Sequence, residues 1–193
     1  TDRFIKRILD VAGSLGFVIV FSPLYLLISL MIRITTRGSI FYKQERMGAD
    51  GNLFELYKFR SMHEGAEKET GAVWASENDP RVTPIGKFLR RTSLDEIPQF
   101  YNVLRGDMSL VGPRPERPHF VEQFEKQVPK YMLRHKMKSG ITGWAQVNGW
   151  RGITSIEERI KHDLYYIGHW SIWFDFKILF WTIFKGFVNK NAY

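Results

Sequence analysis

Twenty-two consecutive residues without a charge, Val11 to Ile32, constrain this chain more than any other feature. As one straight helix the run reaches about 33 Å at 1.5 Å per residue, enough for a bilayer core. Its flanks are basic on both sides, Lys6 and Arg7 before it and Arg33 and Arg37 after it. Such charges stay on the cytoplasmic side, so each end asks for the same face. Ser22-Pro23 sits in the middle, where proline removes a backbone hydrogen bond and costs about 3 kcal/mol. In lipid the stranded carbonyl needs a local partner, which the Ser22 hydroxyl can supply. A cleavable signal peptide is disfavoured, because no small-residue cleavage site follows. A kinked spanning helix, a helix–break–helix that dips in and returns, and a buried core helix remain. The first two attach the chain to a membrane.

The rest has the composition of a soluble domain. With 193 residues the chain can bury one core but hardly two. It carries 28 Lys+Arg against 20 Asp+Glu, a net charge of +8. That balance points to an anionic partner, whether nucleic acid, phosphorylated ligand or acidic lipid. The absence of cysteine excludes disulfides, thiolate nucleophiles and thiolate metal sites. No Walker, Rossmann or zincin pattern occurs, and no His pair has the spacing of metal ligands.

Ser39–Lys43 and Leu53–Phe59 read as strands joined through Gly48-Ala49-Asp50-Gly51. His63 to Pro80 reads as a helix then loop, or a mobile lid. Thr83–Ser93 and Leu94–Leu104 read as two helices, and Gly106–Glu116 as a loop with a short strand. His119–Met137 reads as a helix broken near Pro129. Ser155–Trp170 opens with a capping box, Ser155 and Glu158. Trp170–Val188 holds eight aromatic residues with only Asp175, Lys177 and Lys185 charged. It suits the headgroup boundary, or else the core of an aromatic-rich domain.

Four clusters carry candidate chemistry. In Arg90-Arg91-Thr92-Ser93-Leu94-Asp95-Glu96, Ser93 and Glu96 have capping-box spacing, while Pro98 favours a helix start nearer Asp95–Ile97. Either way Asp95 lies at a helix N-terminus beside cations, a setting for an ionised carboxylate and for phosphate oxygens. Period-2 geometry places Lys58 and Arg60 on one face of a strand, with Tyr57 and Phe59 on the other. That makes an anion site or a solvated face. In Gly112-Pro113-Arg114-Pro115-Glu116, two prolines present one guanidinium with little backbone freedom to lose. It suits a diphosphate or a surface ion pair. Lys126, Lys130, Arg134, Lys136 and Lys138 form a basic run without an acid, able to hold lipid phosphates or to be plainly solvated.

In this order the stretches resemble the bacterial sugar transferase family, the monotopic phosphoglycosyl transferases. The resemblance rests on Lys6-Arg7-x-x-Asp10 before the run with Ser22-Pro23, on GSIFYKQERMGADGNLFELYKFRSM, and on LRRTSLDEIPQFYNVLRGDMSLVGPRPE. SGITGWAQVNG and DLYYIGHWSIWFDFKI extend it. NGWRG and the ending NKNAY look most like the catalytic part of the larger members, which start exopolysaccharide or O-antigen units with glucose- or galactose-1-phosphate. Those members carry further membrane helices upstream, in keeping with a chain that opens on Thr1.

The resemblance implies an α+β fold with a re-entrant N-terminal membrane helix over 1–37, broken at Ser22 and Pro23. A domain over 38–193 with a small β-hairpin and amphipathic interfacial helices would form one functional unit with it. It implies that Asp95 attacks the β-phosphorus of a UDP-sugar, releases UMP, and passes the phosphosugar to polyprenyl phosphate at the cytoplasmic face of the bacterial inner membrane. Glu96 is the dyad partner, and Mg²⁺ is expected near Asp95. Arg90 matches the arginine that holds phosphate, and Arg114, between Pro113 and Pro115, the nucleotide-site arginine. Lys58 and Arg60 are the further substrate-binding candidates. Nucleic acid is not expected as a partner, and a homodimer is one expectation for the assembly. The rival readings are a basic nucleic-acid-binding module and a membrane scaffold without activity.

Overall fold

Pro23 has no N–H for the carbonyl of Ile19, and the N-terminal helix breaks at that point. The computed structural model, which describes residues 2–67, 71, 73, 79–152 and 154–185, shows α1 (Asp2–Val20) and α2 (Ser22–Thr35) bent by 62°. The Ser22 hydroxyl donates to the Ile19 carbonyl at 2.9 Å, so the oxygen that proline strands is satisfied locally. No single described helix is long and apolar enough to cross a membrane, while the bent pair passes that test together.

The faces of α1 are inverted relative to a helix of a soluble protein. Its polar side is turned inward. Asp10 and Ser14 are buried, and the Asp10 carboxylate accepts from the Leu110 N–H at 2.9 Å and from Ser109 Oγ at 3.0 Å. Arg7 donates to the carbonyls of Val103 and Leu104 at the C-terminal end of a later helix. Lys6 donates to the Val111 carbonyl and pairs with Asp175. These flanking cations are therefore tethers. Outward, Phe4, Ile8, Leu15, Ile19 and Val20 are exposed. On α2, Ile28 and Ile32 are buried against Phe59, Leu89 and Ile97, while Leu26, Leu27, Leu30 and Ile34 stay exposed.

The hairpin pairs β1 (Phe41–Met47) with β2 (Leu53–Phe59) in antiparallel register from Phe41↔Phe59 to Met47↔Leu53. The first strand thus starts two residues after Ser39 and runs beyond Lys43, because pairing with all of β2 outweighs local propensity. Thr83 caps α3 (Pro84–Arg91) by accepting from the Gly86 N–H. The expected continuous helix after Ser93 is split instead. Leu94–Glu96 makes a 3₁₀ turn, and α4 (Gln99–Arg105) begins behind Pro98. No capping box forms at Ser93, which lies at φ 56° and makes no cap bond.

After α4, β3 (Ser109–Val111) leads into the Gly112–Glu116 loop, followed by α5 (Pro118–Gln127) and a 3₁₀ turn over Tyr131–Lys136. β4 (Gly140–Thr142) then pairs in parallel with β3. The pairing extends past β3: Gly112 donates to the Thr142 carbonyl and Gly140 to that of Pro113, both at 2.9 Å. A Cβ on Gly140 would stand 2.1 Å from the Gly112 nitrogen, so glycine is required where the chains touch.

α6 (Trp144–Val147), α7 (Ile156–Gly168) and α8 (Ile172–Lys185) are the last described elements. Ser155 caps α7 by accepting from the Glu158 N–H, but the Glu158 carboxylate turns to Lys161, so the box is half formed.

α8 divides its aromatic surface. Ile178 packs with Val111, Val147 and Tyr166, whereas Trp173 is 82% exposed and Phe176, Phe180, Ile183 and Phe184 stand outside with it. Asp175, one of its few charges, points inward to Lys6, Tyr166 and Trp170. The basic run also departs from expectation: Arg134 is buried on Asp163, so it belongs to the core and not to a cationic surface. Half of the expected lid between His63 and Pro80, residues 186–188 of the last segment and the NKNAY ending lie outside the described residues.

Candidate active site

The 3₁₀ turn presents two adjacent carboxylates with different surroundings. Glu96 is gripped. Arg114 donates to it through both terminal nitrogens, at 2.5 and 3.3 Å, and Lys58 donates at 2.9 Å. Asp95 is buried yet, among the described residues, accepts no hydrogen bond, and its ion pair there is with Lys58 at 3.8 Å. The αL conformation of Ser93 turns the chain sharply between α3 and the 3₁₀ turn, and Pro98 stops the turn from running on into α4. Lys58 arrives from β2, and Arg114 from the proline-bounded loop zipped onto β4.

Charge in this corner is set by burial and by the guanidinium. Burial pushes the Asp95 carboxyl above its usual range, opposed by Lys58 and reinforced by the negative charge of Glu96. Burial acts on Glu96 in the same direction, but Arg114 and Lys58 together outweigh it and hold that carboxyl well below the usual range. One carboxylate is thus locked as a permanent anion. The other keeps its lone pairs available.

The sequence-predicted residues converge in part. Lys58, Arg90, Asp95, Glu96, Arg114 and Pro115 line one cavity of about 1190 Å³. Pro113 does not line it, and its carbonyl is taken by Gly140. Arg60 lines the cavity, but its guanidinium donates to the carbonyl of Arg37 and the hydroxyl of Thr36. It serves the C-terminal end of α2, whose orphan carbonyls attract a cation, and does not join Lys58 in an anion site. Phe59 packs inward as expected, whereas Tyr57 is only half-buried, edge-on to Tyr101.

Other residues were missed by the sequence reading. Arg151 enters the cavity and donates to Ser93 Oγ at 3.3 Å. Its segment NGWRG carries a family likeness but no local sign of what the arginine meets. Glu116 accepts from Arg46 and Arg159, while Arg117 forms a two-nitrogen pair with Glu67, each bond at 2.9 Å. Their signal was only charge, which does not disclose partners forty or more residues away.

Among the described residues no group of three His, Asp or Glu gathers to hold a metal ion. Asp95 is the one carboxylate of the corner not already engaged by hydrogen bonds. That donor set fits Mg²⁺ bound mainly through substrate phosphate oxygens, since this ion commonly takes only one or two protein carboxylates.

The bacterial sugar transferase family model matches residues 1–189. The UDP-glucose:undecaprenyl-phosphate glucose-1-phosphate transferase of Escherichia coli (strain K12) is 50% identical over 196 residues, covering 100% of this chain and 42% of that protein. The UDP-N-acetylgalactosamine-undecaprenyl-phosphate N-acetylgalactosaminephosphotransferase of Aeromonas hydrophila is 45% identical, covering 93% of this chain and 43% of that protein. The exopolysaccharide production protein PSS of Rhizobium leguminosarum bv. phaseoli is 41% identical, with 94% of each chain covered. The chain therefore spans about two fifths of the first two relatives' length and nearly all of the third. The family model and the Escherichia coli relative span the elements that carry the carboxylate pair, the gripping arginine and the bent helix alike. This chain belongs to the bacterial sugar transferase family.

Proposed function

We propose that this chain transfers a hexose-1-phosphate from a UDP-sugar to polyprenyl phosphate, working at the cytoplasmic face of a bacterial membrane. UDP-glucose and UDP-galactose are the favoured donors. The observation that carries the reading is the corner around Asp95: a buried carboxylate with free lone pairs, adjacent to a second one that holds Lys58 and Arg114 in place. A phosphoryl electrophile needs cations around it and an unencumbered nucleophile.

Asp95 Oδ attacks the β-phosphorus of the UDP-sugar, a phosphorus–oxygen bond forms, and the bond from that phosphorus to the bridging oxygen breaks. UMP departs with the bridging oxygen and its electron pair. An oxygen of polyprenyl phosphate then attacks the same phosphorus and returns the electron pair to Asp95, leaving a lipid-linked diphosphosugar. Lys58 and Arg114 stabilise the equatorial oxygens, and Glu96 keeps both cations aimed without sharing in the bond changes. Mg²⁺ held by Asp95 and the diphosphate would offset phosphate charge that otherwise repels the nucleophile.

The membrane reading rests on the inverted α1. Its exposed apolar side chains, with those of α2 and α8, form the kind of surface that marks an interaction with lipid or a partner. Such a face suits lipid, and the 62° bend suits a helix that dips in and returns. A basic nucleic-acid-binding module accounts for the charge but not for that face. Incubation with a panel of UDP-sugars and undecaprenyl phosphate tests the proposal: UMP release that vanishes in Asp95→Asn is expected. Undiminished release by that variant would exclude Asp95 as nucleophile.

A further inference from the structure

The proposed reaction brings two phosphate-bearing substrates to one carboxylate, so the cavity needs cations for each. Most cations lining it already face carboxylates: Lys58 and Arg114 meet Glu96, Arg46 and Arg159 meet Glu116, and Arg117 meets Glu67. Arg60 is spent on the end of α2. Arg33 and Arg151 differ, for the hydrogen bonds they make go to neutral oxygens, the Gly38 carbonyl at 3.4 Å and Ser93 Oγ at 3.3 Å. Arg151 sits beside the carboxylate pair. Arg33 sits in the last turn of α2, in the same cavity wall as Gly38, Ser39 and Ile40.

The neighbours of Arg33 set its role. Leu26, Leu30 and Ile34 are spaced for one side of α2 and all exposed, Ile34 at 74%. They make an apolar strip about 12 Å long at helical rise, ending at the arginine. The opposite side is fixed in the core through Ile28 and Ile32, so the strip is held facing out. An apolar strip that ends in a cation at the wall of a cavity complements an amphiphile with one anionic end. A nucleotide sugar has no use for the strip.

We propose that α2 is the docking surface of the lipid acceptor. The first isoprene units lie along Leu26, Leu30 and Ile34, and Arg33 takes the phosphate monoester and delivers it toward Asp95. This assignment rests on the proposed function and names the binding site of its second substrate.

The test separates the two. Arg33→Gln keeps length and helix propensity while removing the charge. Its KM for undecaprenyl phosphate should rise about tenfold, as loss of a charge-assisted bond to phosphate implies. Its KM for the UDP-sugar should not follow, and Arg33→Lys should recover most of the loss. Leu26→Ser, at the far end of the strip from Arg33, should weaken a long-chain acceptor but not a phosphate bearing a single isoprene unit, which reaches no farther than Leu30, whereas Arg33→Gln should weaken both. Equal effects on the two KM values, or none on either, would overturn the assignment. Binding of undecaprenyl phosphate to the protein in nanodiscs, followed by native mass spectrometry without UDP-sugar, gives the same comparison without catalysis. If wild type and Arg33→Gln bind alike there, the docking surface is wrong even when turnover is found. If wild type releases no UMP yet the variant loses lipid binding, the reaction is wrong and the surface stands.

Discussion

The ammonium of Lys6 and the carboxylate of Asp175 meet at 2.6 Å, 169 residues apart in sequence. Both side chains are largely buried, and Asp175 also accepts from Tyr166 Oη at 2.6 Å and Trp170 Nε1 at 3.3 Å. The pair fastens the start of α1 to the start of α8, so the two helices with the most exposed apolar surface are held in one fixed relation. Lys6→Met would leave Asp175 buried without a counter-charge, a loss on the order of 3 kcal/mol for a pair of this kind. A thermal melt in detergent should show the variant several degrees below wild type. The double variant Lys6→Met with Asp175→Leu should regain part of the loss, because no lone charge remains. A double variant lower than the single one would contradict this account.

Arg114 is matched to Glu96 by the fork of its guanidinium, which lysine cannot copy. Arg114→Lys should keep the fold yet lower kcat by at least about tenfold, since it loosens a cation proposed to stabilise the transition state. Glu96→Gln should lower kcat as well, by releasing Arg114 and Lys58 from their fixed positions. Steady-state UMP release measured for both variants checks this. Wild-type kcat in Arg114→Lys would show that the two-point grip has no part in turnover.

What could be read from the residues divides along local and long-range lines. The break at Pro23, its repair by Ser22, the Ser155 cap and the hairpin turn were legible because each partner lies within a few positions. The meeting of Asp95, Glu96 and Arg114 was legible only as separate clusters plus a resemblance. Arg60 and Arg134 were misplaced for one physical reason: a charge in sequence does not reveal its partner. Thr36 lies 24 positions from Arg60, and Asp163 lies 29 from Arg134. The inversion of α1 was hidden too, because periodicity marks two faces without saying which one the protein covers. β4 was invisible, since three residues carry no pattern and its existence depends on β3.

Pro23 can be tested directly, because the chain contains no cysteine and single labels need no prior replacements. Cysteines placed at Asp2 and at Ser39 should react with an impermeant maleimide from the same side of sealed vesicles. Pro23→Ala restores the N–H that the Ile19 carbonyl lacks and favours a straight helix. In that background the two labels should move to opposite sides in a measurable fraction of molecules. Same-side labelling that persists in every molecule would show that the tethers of Lys6, Arg7 and Asp10 fix the geometry without help from the proline.

His135 gives the stability a dependence on pH that is independent of the carboxylate pair. Its ring is buried, with Nδ1 3.0 Å from the Gly48 carbonyl and Nε2 without a partner. Burial, with the charge of Arg134 beside it, pushes its pKa down to about 4. The unfolded chain takes up this proton near pH 6.5, before the folded one does. The stabilisation is therefore complete above about pH 6.5 and is lost as pH falls toward 4. Between pH 7.5 and 5 the loss amounts to about 2 kcal/mol. His135→Gln should be less stable than wild type at pH 7.5 but should lose several degrees less on acidification. Melting curves at the two pH values decide it: parallel losses in the two proteins would mean that the ring is already charged in the fold.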